Sequence, residues 1–459
     1  MNTNLHELAG VCIKVRTIGI LVMSLFFCVE YSEAQPTPPQ VPLVKMTLSQ
    51  CIALALKENP SLGNAVQKTA EARAQVDEAR ASARPKGTIT YEHSQVYTAD
   101  IREPSIYAVP GRPNEYSIAP YDSSSLGLNL TYPLYSGGKI EAGKDQALAN
   151  LRRTEEEYGE LRMDVALDVT TGFFASLRSR RLDEVAQEAC RLNEAQLDRA
   201  RKFFEAGSVP KADVLRAEAQ LAQARENLIR AHNARILADS QLRYSMGTPP
   251  TEPLDLVEQS EYPFPHVLGE PAALVIRALH FRPRIRQMES LIAGAKALLR
   301  SARSGRLPSV SLLGSWSDQL QQSQYLSSLR DLAVTLQSSF PFYDGGAAAA
   351  KMRQAEAQVA QAEVQLAQAQ KQVALEVQKA YLAVKDAKER VASAAVSLTQ
   401  ARENLRVAEV RYEAGIAPIM EVMDARLLFT QASISSVQAT YDVHVASAQL
   451  LRAIGEAYY

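Results

Sequence analysis

Tyr132-Pro133-Leu134-Tyr135-Ser136-Gly137-Gly138 returns 208 residues later as Phe340-Pro341-Phe342-Tyr343-Asp344-Gly345-Gly346. Both copies read aromatic, Pro, apolar, Tyr, small polar or acidic, Gly-Gly. The stretch before the first copy alternates. Leu126, Leu128, Leu130 and Tyr132 share one face, and Gly127, Asn129 and Thr131 share the other, as in a strand with two unlike faces. After each copy no proline occurs from Lys139 to Ala206 or from Ala347 to Ala414. A helix of such length would span about 100 Å at 1.5 Å per residue. Each copy therefore marks a junction where a β-element hands over to a long helix. Pro133 and Pro341 are expected to end strand pairing there, and Gly-Gly to let the chain bend.

The offset extends beyond the junctions. Gly207 matches Gly415 and Gly247 matches Gly455 at the same spacing. Upstream of the strands, Pro60 matches Pro283 and Pro85 matches Pro308, 223 residues apart. The excess falls between the strands, so the first hairpin loop is the longer one. Pro104, Pro110, Pro113 and Pro120 fall in it. A register kept this long points to an internal duplication. The expected division is a leader at 1–34, a linker at 35–46 and a first repeat at 47–247 with strands near 88–97 and 124–135. A linker at 248–270 follows, then a second repeat at 271–455 with strands near 309–316 and 332–343, and a tail at 456–459. Each repeat is read as one short helix, ending near Arg84 or Arg306, then a hairpin, a long helix and a second short helix. Two short rods end to end match one long rod, which brings the linkers together at an equator.

The second long helix carries a heptad. Val377, Val384, Val391, Leu398, Leu405 and Tyr412 recur every seven residues beside Val373, Ala380, Ala387, Ala394, Ala401 and Ala408. That period specifies a coiled coil. The chain has 459 residues, is 46% hydrophobic and carries a net charge of −1. The charge gives no electrostatic basis for binding nucleic acid. Lys14 and Arg16 precede an apolar run from Ile18 to Val29 and the small-residue exit Ser32-Glu33-Ala34, the pattern of a secretory signal. Phe26 and Phe27 before Cys28 argue against lipidation there. Cys51 and Cys190 are read as buried free thiols rather than a metal site. With no long apolar helix, an exported chain enters a membrane only as strands. Four strands do not close a barrel. Either the hairpins pack as a soluble sheet, or several chains share one barrel. Aromatics near the strand ends (Tyr91, Tyr132, Tyr135, Trp316, Phe340, Phe342 and Tyr343) favour a barrel with an aromatic girdle.

Signal, duplicated plan, junction motifs and Gly-centred turns together resemble the TolC-like outer-membrane efflux proteins, from about Met46 to Gly455. The resemblance implies a mainly α fold with a membrane β-hairpin region. It implies a homotrimer whose four strands per chain make a twelve-stranded barrel in outer-membrane lipid, above a periplasmic α-helical coiled-coil tunnel. It implies an exit duct served by a periplasmic adaptor and an inner-membrane pump. Under it, Glu421 and Asp424 ring the periplasmic aperture, and Asp213 and Tyr412 link neighbouring helices at the gate. The turns Gly207, Ser208, Val209, Pro210, Leu215 and Gly415, Ile416, Ala417, Pro418 meet the adaptor. The junctions Tyr132, Pro133, Tyr135, Gly137, Gly138 and Phe340, Pro341, Tyr343, Gly345, Gly346 mark the barrel–tunnel boundary. Glu421 replaces the family's Asp, and Ala417 an Arg used in a second link. The bland alternative for the acids is helix capping after a turn. The competing function is a secreted periplasmic coiled-coil scaffold or adaptor without a pore. Gly138-Lys139-Ile140-Glu141-Ala142-Gly143-Lys144 mimics a phosphate loop, but Asp145 stands where Ser or Thr would bind Mg²⁺. No residue set argues for an enzyme, a cofactor or a metal.

Overall fold

The computed structural model describes residues 45–457 except 97–98, 102–115, 119–120, 251–253, 260–261, 263–268 and 323–328. The leader, most of the first linker and the tip of the first hairpin lie outside the described residues. So does part of the second linker.

Thr47 opens helix α1 (Leu48–Glu58) with a capping box. Its hydroxyl accepts from Gln50 N–H, and the Gln50 side chain accepts from Thr47 N–H at 2.9 Å. The first short helix was expected to run unbroken to Arg84, but it stops at Asn59. Pro60 disfavours helical dihedrals in the residue before it, and Asn59 is extended (φ −66°, ψ 122°). Asn59 then caps α2 (Pro60–Ala81) by accepting from Ser61 N–H at 2.9 Å. The second repeat breaks in the same way at Arg282 and Pro283, giving α5 (Pro271–Phe281) and α6 (Pro283–Ser304). The long helices are α3 (Lys139–Glu205) and α7 (Ala347–Glu413); the climbing helices are α4 (Lys211–Met246) and α8 (Ile419–Ile454).

The two breaks are where the rods abut. Asn59 Nδ2 donates to the Ser245 carbonyl at 2.8 Å, fixing the end of α4 against the start of α2. Gly247, at φ +80°, closes α4 so near that a Cβ would lie 2.7 Å from the Glu58 carbonyl oxygen. Gly455, at φ +87°, closes α8 against the Arg282 backbone. Arg452 pairs with Asp164 at 2.7 Å, and Arg282 pairs with Glu376, so ion pairs tie this second joint to both long helices. On the strand side of this joint the helices pack in the order α2, α3, α6, α7; on the other side the order is α4, α3, α8, α7. The α2/α4 stack and α7 are thus the two open edges. The expected heptad forms the α7 seam. Val373, Val377, Ala387, Leu405, Ala408 and Tyr412 are buried there, and Ala380, Val384, Val391, Ala394, Leu398 and Ala401 are half-buried.

The equator holds a large apolar cluster. Cys51, Ile52, Phe173, Phe174, Leu242 and Met246 are buried in it. Burial pushes the Cys51 thiol up to about 12. Both Cys51 and Cys190 are free and buried. β1 (Lys45–Met46), inside the expected first linker, pairs in parallel with β6 (Asp255–Leu256). Glu258 pins the linker beside it. Its carboxylate accepts from Tyr441 Oη at 2.7 Å and Arg181 at 2.6 Å. Burial raises the Glu258 pKa, but these two bonds outweigh it and hold the group below its usual range. His444 stacks on Phe174 with ring centres 4.9 Å apart and meets Tyr262 edge-on at 4.8 Å. Burial pushes the imidazole pKa down, against a smaller opposing pull from Glu258.

The main sheet runs β2–β5–β7–β8, all antiparallel, with β2 (Lys86–Val96), β5 (Tyr121–Tyr135), β7 (Ser309–Gln322) and β8 (Leu329–Ser339). Part of the expected first-hairpin loop is also paired, as β3 (Ala99–Ile101) with β4 (Tyr116–Ile118). β7 runs past the expected Trp316, and β8 stops before the expected 343. Pro341, lacking an N–H, cannot extend the ladder. Pro133 does not end pairing as expected. It faces Ser311 inside β5, and a register shift before Tyr135 absorbs the missing donor. The cross-strand row Ile89, Leu128, Trp316, Leu332 is apolar, whereas the next, Thr88, Asn129, Ser315, Ala333, is small and mostly polar. Ile89, Leu128 and Leu332 are exposed. The edges β2 and β8 adjoin α2 and α7 in the chain, the same two flanks left open by the helices.

Candidate functional site

The ends of the long helices farthest from the sheet form two matched turns. Gly207 (φ +73°) donates to the Phe204 carbonyl at 2.9 Å, and Ser208 N–H donates to the Phe203 carbonyl at 2.8 Å. Gly415 (φ +72°) and Ile416 repeat this to Tyr412 and Arg411 at 3.0 and 2.9 Å. The paired bonds are a Schellman closure, which needs a left-handed residue. Nothing lies within 4 Å of where a Cβ would stand at either Gly, so φ alone requires glycine here. Pro210 and Pro418 then start α4 and α8. Leu215 and Ile416 are exposed, as are Ser208 and Pro418, and Val209 is half-buried; Ala417 is turned in.

Glu421 lies in the first turn of α8 and accepts from Arg411 Nη1 at 2.6 Å across the Gly415 turn. Asp424 lies about one turn farther on, exposed, with no ion-pair partner among the described residues. The uncompensated carboxylate of this pair is therefore Asp424. Capping does not account for Glu421, whose partner is a guanidinium. Asp213 is in the first turn of α4, 3.5 Å from Arg216. Tyr412 is buried with its ring 5.8 Å from Phe203. Burial raises the Tyr412 pKa and the Asp213 charge adds to this, opposed by Arg199. Asp213 is thus within electrostatic range. No hydrogen bond joins the two, and the Tyr412 hydroxyl has none among the described residues.

Sequence reasoning missed Arg426. It is buried beside Ala425 and Val422 and donates to Glu409 at 2.7 Å and to the Leu192 carbonyl at 2.9 Å. One side chain thereby ties α8 to α7 and α3. Arg199 and Glu413, 3.0 Å apart, add a second tie between the long helices. An arginine at a core-facing position of α8 was the available signal. The polar residue of each junction motif proves to be a helix cap. Asp344 accepts from Gly346 N–H at 2.9 Å and Ala348 N–H at 2.6 Å, which holds its carboxyl below the usual range. Ser136 accepts from Ile140 N–H at 3.2 Å. Gly137 differs from Gly345 in being crowded: a Cβ would meet Leu307 Cβ at 2.8 Å. Tyr132, Tyr135, Phe340, Phe342 and Tyr343 are exposed around the junctions.

The duplicated fold, with its amphipathic four-stranded sheet and paired helical tips, coincides with a known profile. The outer membrane efflux protein profile matches residues 51–248 and 274–456. The chain belongs to this family. Protein CyaE of Bordetella pertussis is 25% identical over 422 residues, covering 91% of this chain and 86% of that protein. Outer membrane protein TolC of Vibrio cholerae is 24% identical over 356 residues, covering 74% and 79%. Among solved structures, the outer-membrane channel OprN superposes with a TM-score of 0.76 at 20% identity, covering 90% of each chain. VceC of Vibrio cholerae gives 0.74 at 19%, covering 90% of this chain and 97% of its own. The chain is an outer-membrane protein that extends into the periplasm. No helix among the described residues is long and apolar enough to cross a membrane.

Proposed function

We propose that three copies close into a twelve-stranded barrel continuous with a helical tunnel. This assembly is a passive exit duct that receives substrate from a periplasmic adaptor and an inner-membrane pump. One observation carries the reading. The sheet has an apolar face and two unpaired edges, β2 and β8, and a sheet edge in lipid is not tolerated. Those edges lie on the flanks where the α2/α4 stack and α7 are also open, so one rotation closes both layers. Strands of 11 to 15 residues suffice for a bilayer crossed at a tilt. The relatives' names support efflux: one is a toluene efflux pump outer membrane protein of Pseudomonas putida. At the tips, Asp424 supplies the unpaired carboxylates of the aperture and Glu421 the compensated ones. A ring of carboxylates favours cations. Asp213 and Tyr412 serve as gate links once neighbouring copies are in place. The exposed turn residues of both tips, with Ala417 backing them, are the adaptor's landing surface.

The test is single-channel recording in planar bilayers. The duct reading expects cation-selective conductance, reduced in selectivity by Asp424→Asn. Absence of conductance from correctly folded protein in outer membranes would instead favour a scaffold without a pore.

A further inference from the structure

On the strand side of the joint, α2, α3, α6 and α7 form one layer, and a groove of about 570 Å³ runs along one of its faces. Gln75 of α2 and Gln358 of α7 both line it. Neighbouring helix axes stand about 8–10 Å apart, so in a flat layer α2 and α7 would be about 24–30 Å apart. A single groove that touches both means that the layer curls toward it. The other face carries the charge. Arg73 pairs with Glu155 at 3.4 Å, Arg286 with Glu156 at 3.6 Å and Arg300 with Asp145 at 2.7 Å, tying α2 and α6 to α3. At about 100° per residue, these acids lie on α3 about 120–140° round from the groove residue Asn150. Phe173 and Phe174 lie on that same side of α3, and Tyr262 of the linker packs on them with ring centres at 6.3 and 4.8 Å. Linker and ion pairs thus share the convex face. The groove is on the concave one, which faces the tunnel once three copies close.

The groove is neutral. Its lining is small or apolar at Gly143, Ala147, Gly294, Ala295, Leu291 and Leu298. Its other polar groups are mostly carboxamides. Gln75 accepts from Asn150 at 3.0 Å, whereas Gln146, Gln358, Gln361 and Gln365 make no side-chain hydrogen bond among the described residues. Arg153, a charged residue on the rim, is held by Glu157 and by Asn150 at 2.9 Å. Each carboxamide offers two N–H donors and one carbonyl acceptor. A charged molecule would lose water here without gaining a counter-charge. A neutral one with amide groups on an apolar body meets both kinds of surface, and the volume is that of a small-molecule site. We propose that this groove is a binding site in the duct wall, one per copy, for uncharged, amide-bearing molecules with apolar side groups; its place in the wall rests on the duct reading above.

Two probes of like size and unlike charge test it. N-acetyl-leucyl-leucinamide is neutral, and leucyl-leucine carries an ammonium and a carboxylate. Saturation-transfer NMR on the full chain in detergent is expected to show the neutral probe bound, and the zwitterion weaker by about fivefold or more. Gly143→Leu is expected to abolish binding. Nothing lies within 4 Å of where a Cβ would stand at Gly143, so the new side chain fills the groove without moving the backbone. Leucine also suits a helix better than glycine. Gln361→Glu puts a lone carboxylate in the wall and is expected to weaken the neutral probe in favour of leucyl-leucinamide, which carries one positive charge. In planar bilayers the neutral probe is expected to add current noise that Gly143→Leu removes. Equal binding of the first two probes, or neutral binding unchanged in Gly143→Leu and Gln361→Glu, overturns the site. Binding without added noise in a conducting duct overturns its place in the wall. Binding by a folded protein that does not conduct overturns the duct reading and leaves the groove and its selectivity standing.

Discussion

Arg411 decides how the acidic tip behaves. Its bond to Glu421 is at the surface, where such pairs contribute about 0–1 kcal/mol, so its effect is on charge more than on stability. Arg411→Gln should raise the cation-to-anion permeability ratio in bilayers while leaving the unfolding temperature within a degree or two. Glu421→Gln should change selectivity less than Asp424→Asn, because only Asp424 is unpaired; equal effects would contradict this. The acids themselves were legible from the turn motif, but Arg411 was not. Its partner is ten residues away across a turn, and only the closed Schellman geometry brings them together. Arg426 was hidden for a related reason: its bonds reach two other helices. At the equator, His444 has a depressed pKa in the folded chain, so the unfolded chain binds the proton more readily. Stability should therefore be full above the ordinary His pKa of about 6.5 and fall as pH drops below it, before Glu258 begins to protonate. His444→Phe keeps the stack and should remove that first decline in unfolding temperature between about pH 6.5 and 5. A decline of the same size in the variant would assign it to other groups.

Among elements, the end-to-end joints are the most exacting feature. Gly247 and Gly207 both have positive φ, yet only Gly247 has backbone against it. Gly207→Ala should cost about 1–2 kcal/mol for the left-handed conformation alone. Gly247→Ala must also push α1 away from α4, and thermal unfolding should show a clearly larger loss. Equal losses would mean that the joint is slack. The heptad of α7 was readable because a coiled coil repeats its packing locally. The breaks at Asn59 and Arg282 were readable in principle, since Pro60 and Pro283 both restrict the preceding residue, but helical periodicity continues through them. Strand ends were less legible. Whether Pro133 stops a ladder depends on which neighbour would have needed its N–H, and a bulge removed that need.

For the whole molecule, the duplication fixed the architecture at the level of sequence, because two copies of one junction must be built alike. What sequence could not resolve was whether four strands make a soluble sheet or a share of a barrel. The paired observation of open strand edges and open helix edges on the same flanks favours the share. A ring would give partners to the apolar sheet face and to the open strand and helix edges. Native mass spectrometry of the full chain, extracted from outer membranes in mild detergent, tests for that ring. A complex of three copies is expected. A monomer, extracted intact with its fold preserved, would contradict it.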